Sequence, residues 1–134
     1  MYAPKKLKKY PAHLGRGGTA FVLPEMTGGM EWYERYGELH PDDGADGRLV
    51  SMHTFETGWD SWEMHPSGHE IVICTQGEMT LKQEYPDGRI ADVTLSPGDY
   101  VINDPGVWHI ADIDTAPASA VFITSGEGTR HRPR

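Results

Sequence analysis

From residue 48 onward, short apolar stretches alternate with tight turns. "RLVSMHTF" runs to a break at Gly58, "DSWEMH" to "PSG", "EIVICTQ" to Gly77 and "EMTLKQEY" to "PDGR". "IADVTL" meets "SPGD", "YVIN" meets "DPG", and "VWHIAD" leads through a loop containing Pro117 to "SAVFITSG". Runs of this length bounded by Gly, Pro and Asp predict strands and turns, with "PDGR" a hairpin turn. About eight such strands with no helical stretch between them predict an all-β antiparallel sandwich or barrel. A parallel α/β fold would need helices between the strands.

The first 47 residues have a different texture. Residues 1–18, rich in Lys, Pro and Gly, read as an extended arm, and 19–25 contains a short strand. "GMEWYERYGELH", 29–40, is the helical candidate, because Trp32, Tyr33, Tyr36 and Leu39 recur near the spacing of one helix face. "PDDGADG", 41–47, reads as a loop. The expected organisation is an N-terminal arm, strand and short helix over 1–47, a β-barrel over 48–125, and a solvated tail over 126–134.

Composition narrows the class. A chain of 134 residues can bury one real core, and 24% charged with 37% apolar residues fits a soluble globular domain. No apolar run approaches the roughly 20 residues of a membrane helix. The start, "MYAPKKLKKYPAHLG", lacks the apolar stretch of a secretory signal. The single cysteine, Cys74, sits in "IVICT" and reads as a buried thiol, so a cytoplasmic location is expected. Residues 11–129 hold all 20 acidic residues and five basic ones, a net of −15. Such a body repels nucleic acid. The "KKLKK" arm reads as solvated.

The stretch "WEMHPSGHE", Trp62 to Glu70, concentrates two carboxylates and two imidazoles. On a strand, Glu63 and His65 share one face, while Trp62 and Met64 take the other and are expected to point outward. Glu70 opens the next strand and shares its face with Val72 and Cys74. His109 lies beside a second Gly-turn, and a barrel can bring it opposite. Four such groups aimed into a barrel would be costly to bury unpaired. A divalent cation satisfies all of them; an ion-free hydrogen-bonded network, or an opening onto water, is the alternative. Strict alternation turns His69 to the surface, whereas a bulge after "PSG" would swing it inward. Trp59, Trp62 and Trp108 read as core or subunit-interface residues.

Gly58 to Gly77, followed by Gly98 to His109, resembles the two short motifs of the cupin superfamily. Aligned on His65, "PSGH" precedes Glu70 and "IVICTQ" leads to Gly77. The second motif reads "GDYVINDPGVWH", with Gly98, Gly106 and His109 in place. Glu63 stands where the family has its first His, Gly58 lies one residue late, Asp104 takes the Pro position, and Ile113 the Asn position. The resemblance implies a cupin-type jelly-roll β-barrel, similar to stand-alone bacterial cupins. It also implies a metal position at Glu63, His65, Glu70 and His109; mixed N/O ligands select weakly among Mn, Fe, Ni and Zn. Glu63 is then a fourth ligand or an adjacent catalytic base. The implied activity is that of an isomerase, lyase or non-haem oxygenase on a sugar or small acid; the alternative is a non-catalytic ligand-binding module. A small-molecule ligand, a homodimer, and no nucleic-acid or membrane partner complete the expectation.

Overall fold

The computed structural model describes residues 3–134. The elements are β1 (Ala12–Leu14), β2 (Ala20–Val22), α1 (Met30–Leu39), β3 (Arg48–Phe55), β4 (Ser61–Met64), β5 (Glu70–Glu84), β6 (Ile90–Leu95), β7 (Tyr100–Asn103), β8 (Trp108–Thr124) and β9 (Arg130–Pro133). Every strand pairing is antiparallel. One run follows the order β2-β1-β3-β8-β4-β9, and β5 joins it through β8 while also pairing with β6 and β7. This is the all-β barrel expected from the strand-and-turn rhythm, with the short helix where the aromatic spacing put it.

Two expected breaks are not strand ends. β5 runs through Gly77 for 15 residues, and β8 runs through Pro117 for 17. The register between them shifts around Gly77, which adopts a φ of 67°. A Cβ there would lie 2.3 Å from the Pro117 carbonyl oxygen and 2.4 Å from that of Thr115. Gly77 and Pro117 therefore meet at one corner where two long strands bend together. A glycine inside a strand often marks such a bulge or close backbone approach.

The tail expectation is also corrected. Arg130–Pro133 forms β9 and pairs with β4, placing His131 opposite Glu63 and Arg132 opposite Trp62. Arg132 lies 4.7 Å from the ring centroids of both Trp62 and Trp108 and 2.7 Å from Glu84. β4 is thus flanked by β8 and β9 rather than left as an open edge, and Met64, expected to face outward, is buried. The arm is similarly recruited: β1 pairs with β3 as well as with β2. The loop expected over 41–47 contains a short 3-10 segment, Pro41–Asp46.

The main core is built by Val72, Cys74, Met79, Leu81, Leu95, Ala111, Ala118, Ala120 and Phe122. A satellite of Leu23, Trp32 and Leu49 seats α1, helped by the Trp32 indole N–H, which donates to the Pro24 carbonyl at 3.2 Å. Only Trp32 of the expected helix face is buried; Tyr36 is half-buried, and Tyr33 and Leu39 stay exposed. α1 therefore flanks the barrel instead of entering it. Among the described residues, no helix is long and apolar enough to cross a membrane.

Candidate metal centre

Strand register brings the four candidate residues together. Glu63 on β4 lies opposite His109 on β8. Glu70, at the start of β5, is paired with Asn103 of β7 on one side and Thr124 of β8 on the other. His65 follows β4 directly. The Nε2 atoms of His65 and His109 each lie 3.1 Å from a different oxygen of Glu70. Glu63 Oε2 stands further back, 3.8 Å from His65 Nε2 and 3.9 Å from His109 Nε2. His65, Glu70 and His109 are buried, whereas Glu63 is half-exposed.

Glu70 is held by neutral donors as well. Asn103 Nδ2 donates to Oε1 at 3.0 Å and Thr124 Oγ1 donates to Oε2 at 2.7 Å. Burial alone would raise the Glu70 pKa, but close contact with His109 and His65, and their charge, hold it well below the usual carboxylate range. Burial would lower the His109 pKa; the nearby Glu70 and Glu63 carboxylates outweigh it and raise the value. This pocket of the barrel is built for positive charge set between carboxylates.

The outer ring nitrogens fix which inner atoms carry lone pairs. Thr129 Oγ1 donates to the Gly126 carbonyl at 2.7 Å, so it accepts from His65 Nδ1–H at 2.8 Å. His109 Nδ1 faces the Val107 carbonyl at 3.4 Å, an acceptor only, and carries the hydrogen too. In their neutral forms both imidazoles therefore aim an Nε2 lone pair at the carboxylates. Both Nε2 atoms are buried without a hydrogen-bond partner among the described residues. Two imidazole lone pairs facing carboxylate oxygens repel unless a proton or a metal cation lies among them. The outer N–H bonds are those that orient metal-ligating histidines. The donor set fits a divalent ion: Glu63, His65 and His109 already present ligand atoms within 4.8 Å of one another, and Glu70 lies against both rings.

His69 does not join the site: it is exposed and pairs with Asp104 at 3.5 Å. Trp59 packs against His109 with ring centroids 6.1 Å apart, and Trp62 and Trp108 hold Arg132. Sequence reasoning missed Asn103 and Thr124, which hold Glu70, and two further neighbours near the C-terminus. Thr129 sets the His65 ring, and His131 Nε2 stands 3.5 Å from Glu63 Oε1. Both lie in the stretch read as a solvated tail, and the alternation of His131 with Arg130 and Arg132 was its one strand-like signal.

Residues 51–124 match the model of the family described as Cupin domain, more than half of the chain. The chain belongs to the cupin family. The match contains His65, Glu70 and His109 but ends before Thr129 and His131. No curated protein matches this cupin. Solved structures share its fold at low identity. Peruvianin-I, a cysteine peptidase from Thevetia peruviana latex, is 19% identical with a TM-score of 0.53, covering 62% of this chain and 54% of its own. An oxalate oxidase is 13% identical with a TM-score of 0.53, covering 61% and 44%. The coconut allergen cocosin is 17% identical with a TM-score of 0.51, covering 65% and 22%. The matched part of this cupin thus spans about half, or less, of those chains, and the likeness is one of fold.

Proposed function

We propose that this cupin holds a divalent ion through His65, Glu70 and His109 and acts enzymatically on a small, oxygen-rich metabolite. The observation that carries this reading is the pair of buried, unpartnered Nε2 atoms against one ionised carboxylate. A bound ion would supply Lewis acidity toward a hydroxyl, carbonyl or carboxylate oxygen of the ligand. Glu63 stands back from the histidines and is half-exposed, lining a cavity of about 1080 Å³. Its carboxylate suits a general base that takes a proton from a carbon next to a carbonyl and returns it to the neighbouring carbon. His131, beside the other Glu63 oxygen, orients that carboxylate. Isomerase or lyase chemistry follows from this arrangement. Two His with one carboxylate are also the ligand types of non-haem iron oxygenases, which supports a second, oxygen-consuming reading.

The ion-free alternative is a ligand-binding module, supported by the neutral donors from Asn103 and Thr124 that already serve Glu70. Metal analysis of the purified protein separates the two readings. An enzyme of the proposed kind retains about one equivalent of Mn, Fe, Ni or Zn, and turns over a member of a panel of sugars, sugar acids and enolisable acids. Oxygen uptake with Fe(II) picks out the oxygenase. Glu63→Gln should keep metal and lose turnover if Glu63 is the base; loss of both makes it a ligand.

We also propose a homodimer, located in the cytoplasm. β2 is the terminal strand of its sheet run and all three of its residues are exposed, with Phe21 and Val22 at 45% and 47%. An unpaired apolar edge is suited to pairing with a second copy. A single 14.9 kDa species in sedimentation at micromolar concentration would refute it.

A further inference from the structure

The cavity in front of the His/Glu centre carries charge of one sign. Glu34, Glu56, Asp60, Glu63, Glu70 and Glu127 line it, and the described lining residues include no lysine and no arginine. The nearby cations are engaged or set outside the wall. Arg134 donates to the Trp59 carbonyl at 2.9 Å and pairs with Asp112. Lys8 acts on His53 from beyond the lining. Nor do the outer histidines supply steady positive charge. Burial pushes the His53 and His40 imidazoles down, while His13 is paired with Asp43 at 2.6 Å and His131 faces Glu63 at 3.5 Å, so that a carboxylate stands beside each.

One wall is aromatic. Phe55, Trp59 and Phe122 pack on one another with centroids 5.7 to 6.2 Å apart, and Tyr33 of α1 also lines the cavity. The Trp59 indole N–H has no partner among the described residues, and His65, with its Nε2 likewise unpartnered, lines the same space. A ring has a surface to lie against, and an ammonium group has carboxylates and ring faces to approach. A phosphate, or a carboxylate away from the centre, faces the Glu34, Glu56, Asp60 and Glu127 carboxylates with no lysine or arginine among the lining residues, and loses its hydration there.

Resting on the metal reading above, we propose that the cavity selects a ring-bearing ligand, uncharged or bearing an amine, whose adjacent oxygens face the His65–Glu70–His109 centre. Phosphorylated and polycarboxylate molecules are excluded. The ligand class narrows from sugars and small acids to neutral or cationic ring compounds with vicinal oxygens.

The test uses three probes with the same vicinal hydroxyls and different charge: 3,4-dihydroxybenzylamine, catechol and 3,4-dihydroxybenzoate. Fructose 6-phosphate is the phosphorylated control. Binding to the full-length protein loaded with redox-inert Zn(II) is measured by calorimetry at low salt. The amine should bind tightest, catechol next, and the benzoate at least about tenfold more weakly than catechol; the sugar phosphate should not bind. The double variant Glu56→Gln, Asp60→Asn should narrow the gap between amine and benzoate. A benzoate or sugar phosphate that binds as tightly as catechol overturns the proposal, as does an unchanged gap in the double variant. If the protein takes up no metal, only the metal reading falls. The same probes on the metal-free protein, read by thermal shift, then decide the charge preference.

Discussion

Thr129 and His65 are joined by a hydrogen bond whose direction is fixed, because the Thr129 hydroxyl spends its own hydrogen on the Gly126 carbonyl. The His65 ring is thereby kept in the tautomer that leaves Nε2 free. Thr129→Val keeps the shape and removes the acceptor. Metal affinity should fall by about 10- to 100-fold, the usual effect of losing an outer partner of a metal-ligating histidine. Thr129→Ser should restore it. Long-range proton–nitrogen NMR of the metal-free protein should show the Nδ1–H tautomer in wild type and a shift toward Nε2–H in the valine variant. An unchanged tautomer would refute this role.

Replacing either buried imidazole removes a ligand outright. His65→Ala and His109→Ala should each abolish tight metal binding in chelator competition, while His69→Ala, at an exposed ring paired only with Asp104, should change it less than about twofold. Equal losses in all three variants would place the metal elsewhere.

The metal-free protein should be most stable in a mildly acidic window. Glu70 is depressed in the folded state, so its contribution is present above the ordinary Glu pKa of about 4.3 and is lost as pH falls. His109 is raised, so its contribution is complete below the ordinary His value of about 6.5 and is lost as pH rises through the folded value. Metal replaces the proton and should lift stability on the alkaline side. A melting temperature of the metal-free protein that climbs steadily from pH 6.5 to 8 would contradict this assignment.

Gly77 should tolerate no side chain. Gly77→Ala combines a left-handed φ with a Cβ pressed on two carbonyl oxygens. A loss of more than about 2 kcal/mol is expected in urea unfolding. By contrast, Arg132→Ala removes contacts that are partly solvated and should cost about 1–2 kcal/mol.

The sequence made the barrel and the four candidate side chains legible for a physical reason. Strand alternation fixes that Glu63 and His65 share a face, and Gly-turns fix where strands begin. It did not reveal that Gly77 and Pro117 lie within continuous strands. The signal that ends a strand also bends one, and only the partner strand decides which occurs. Nor did it reveal the roles of Thr129, His131 and Arg132. Four residues with alternating charge look like a solvated tail until a flanking strand offers its backbone, and here β4 does. Met64 is buried although it shares a face with Trp62, because alternation tells which residues share a face and not what packs over that face.

The pairing of β4 with β9 has a kinetic consequence. The site needs residues from both ends of the barrel segment, so its closure awaits contacts between parts of the chain far apart in sequence, and such contacts form slowly. A site completed only after the folding transition state offers the ion no seat while that barrier is crossed. Metal should leave the refolding rate nearly unchanged and instead slow unfolding, so that it acts as a lock on the finished barrel rather than a template for it.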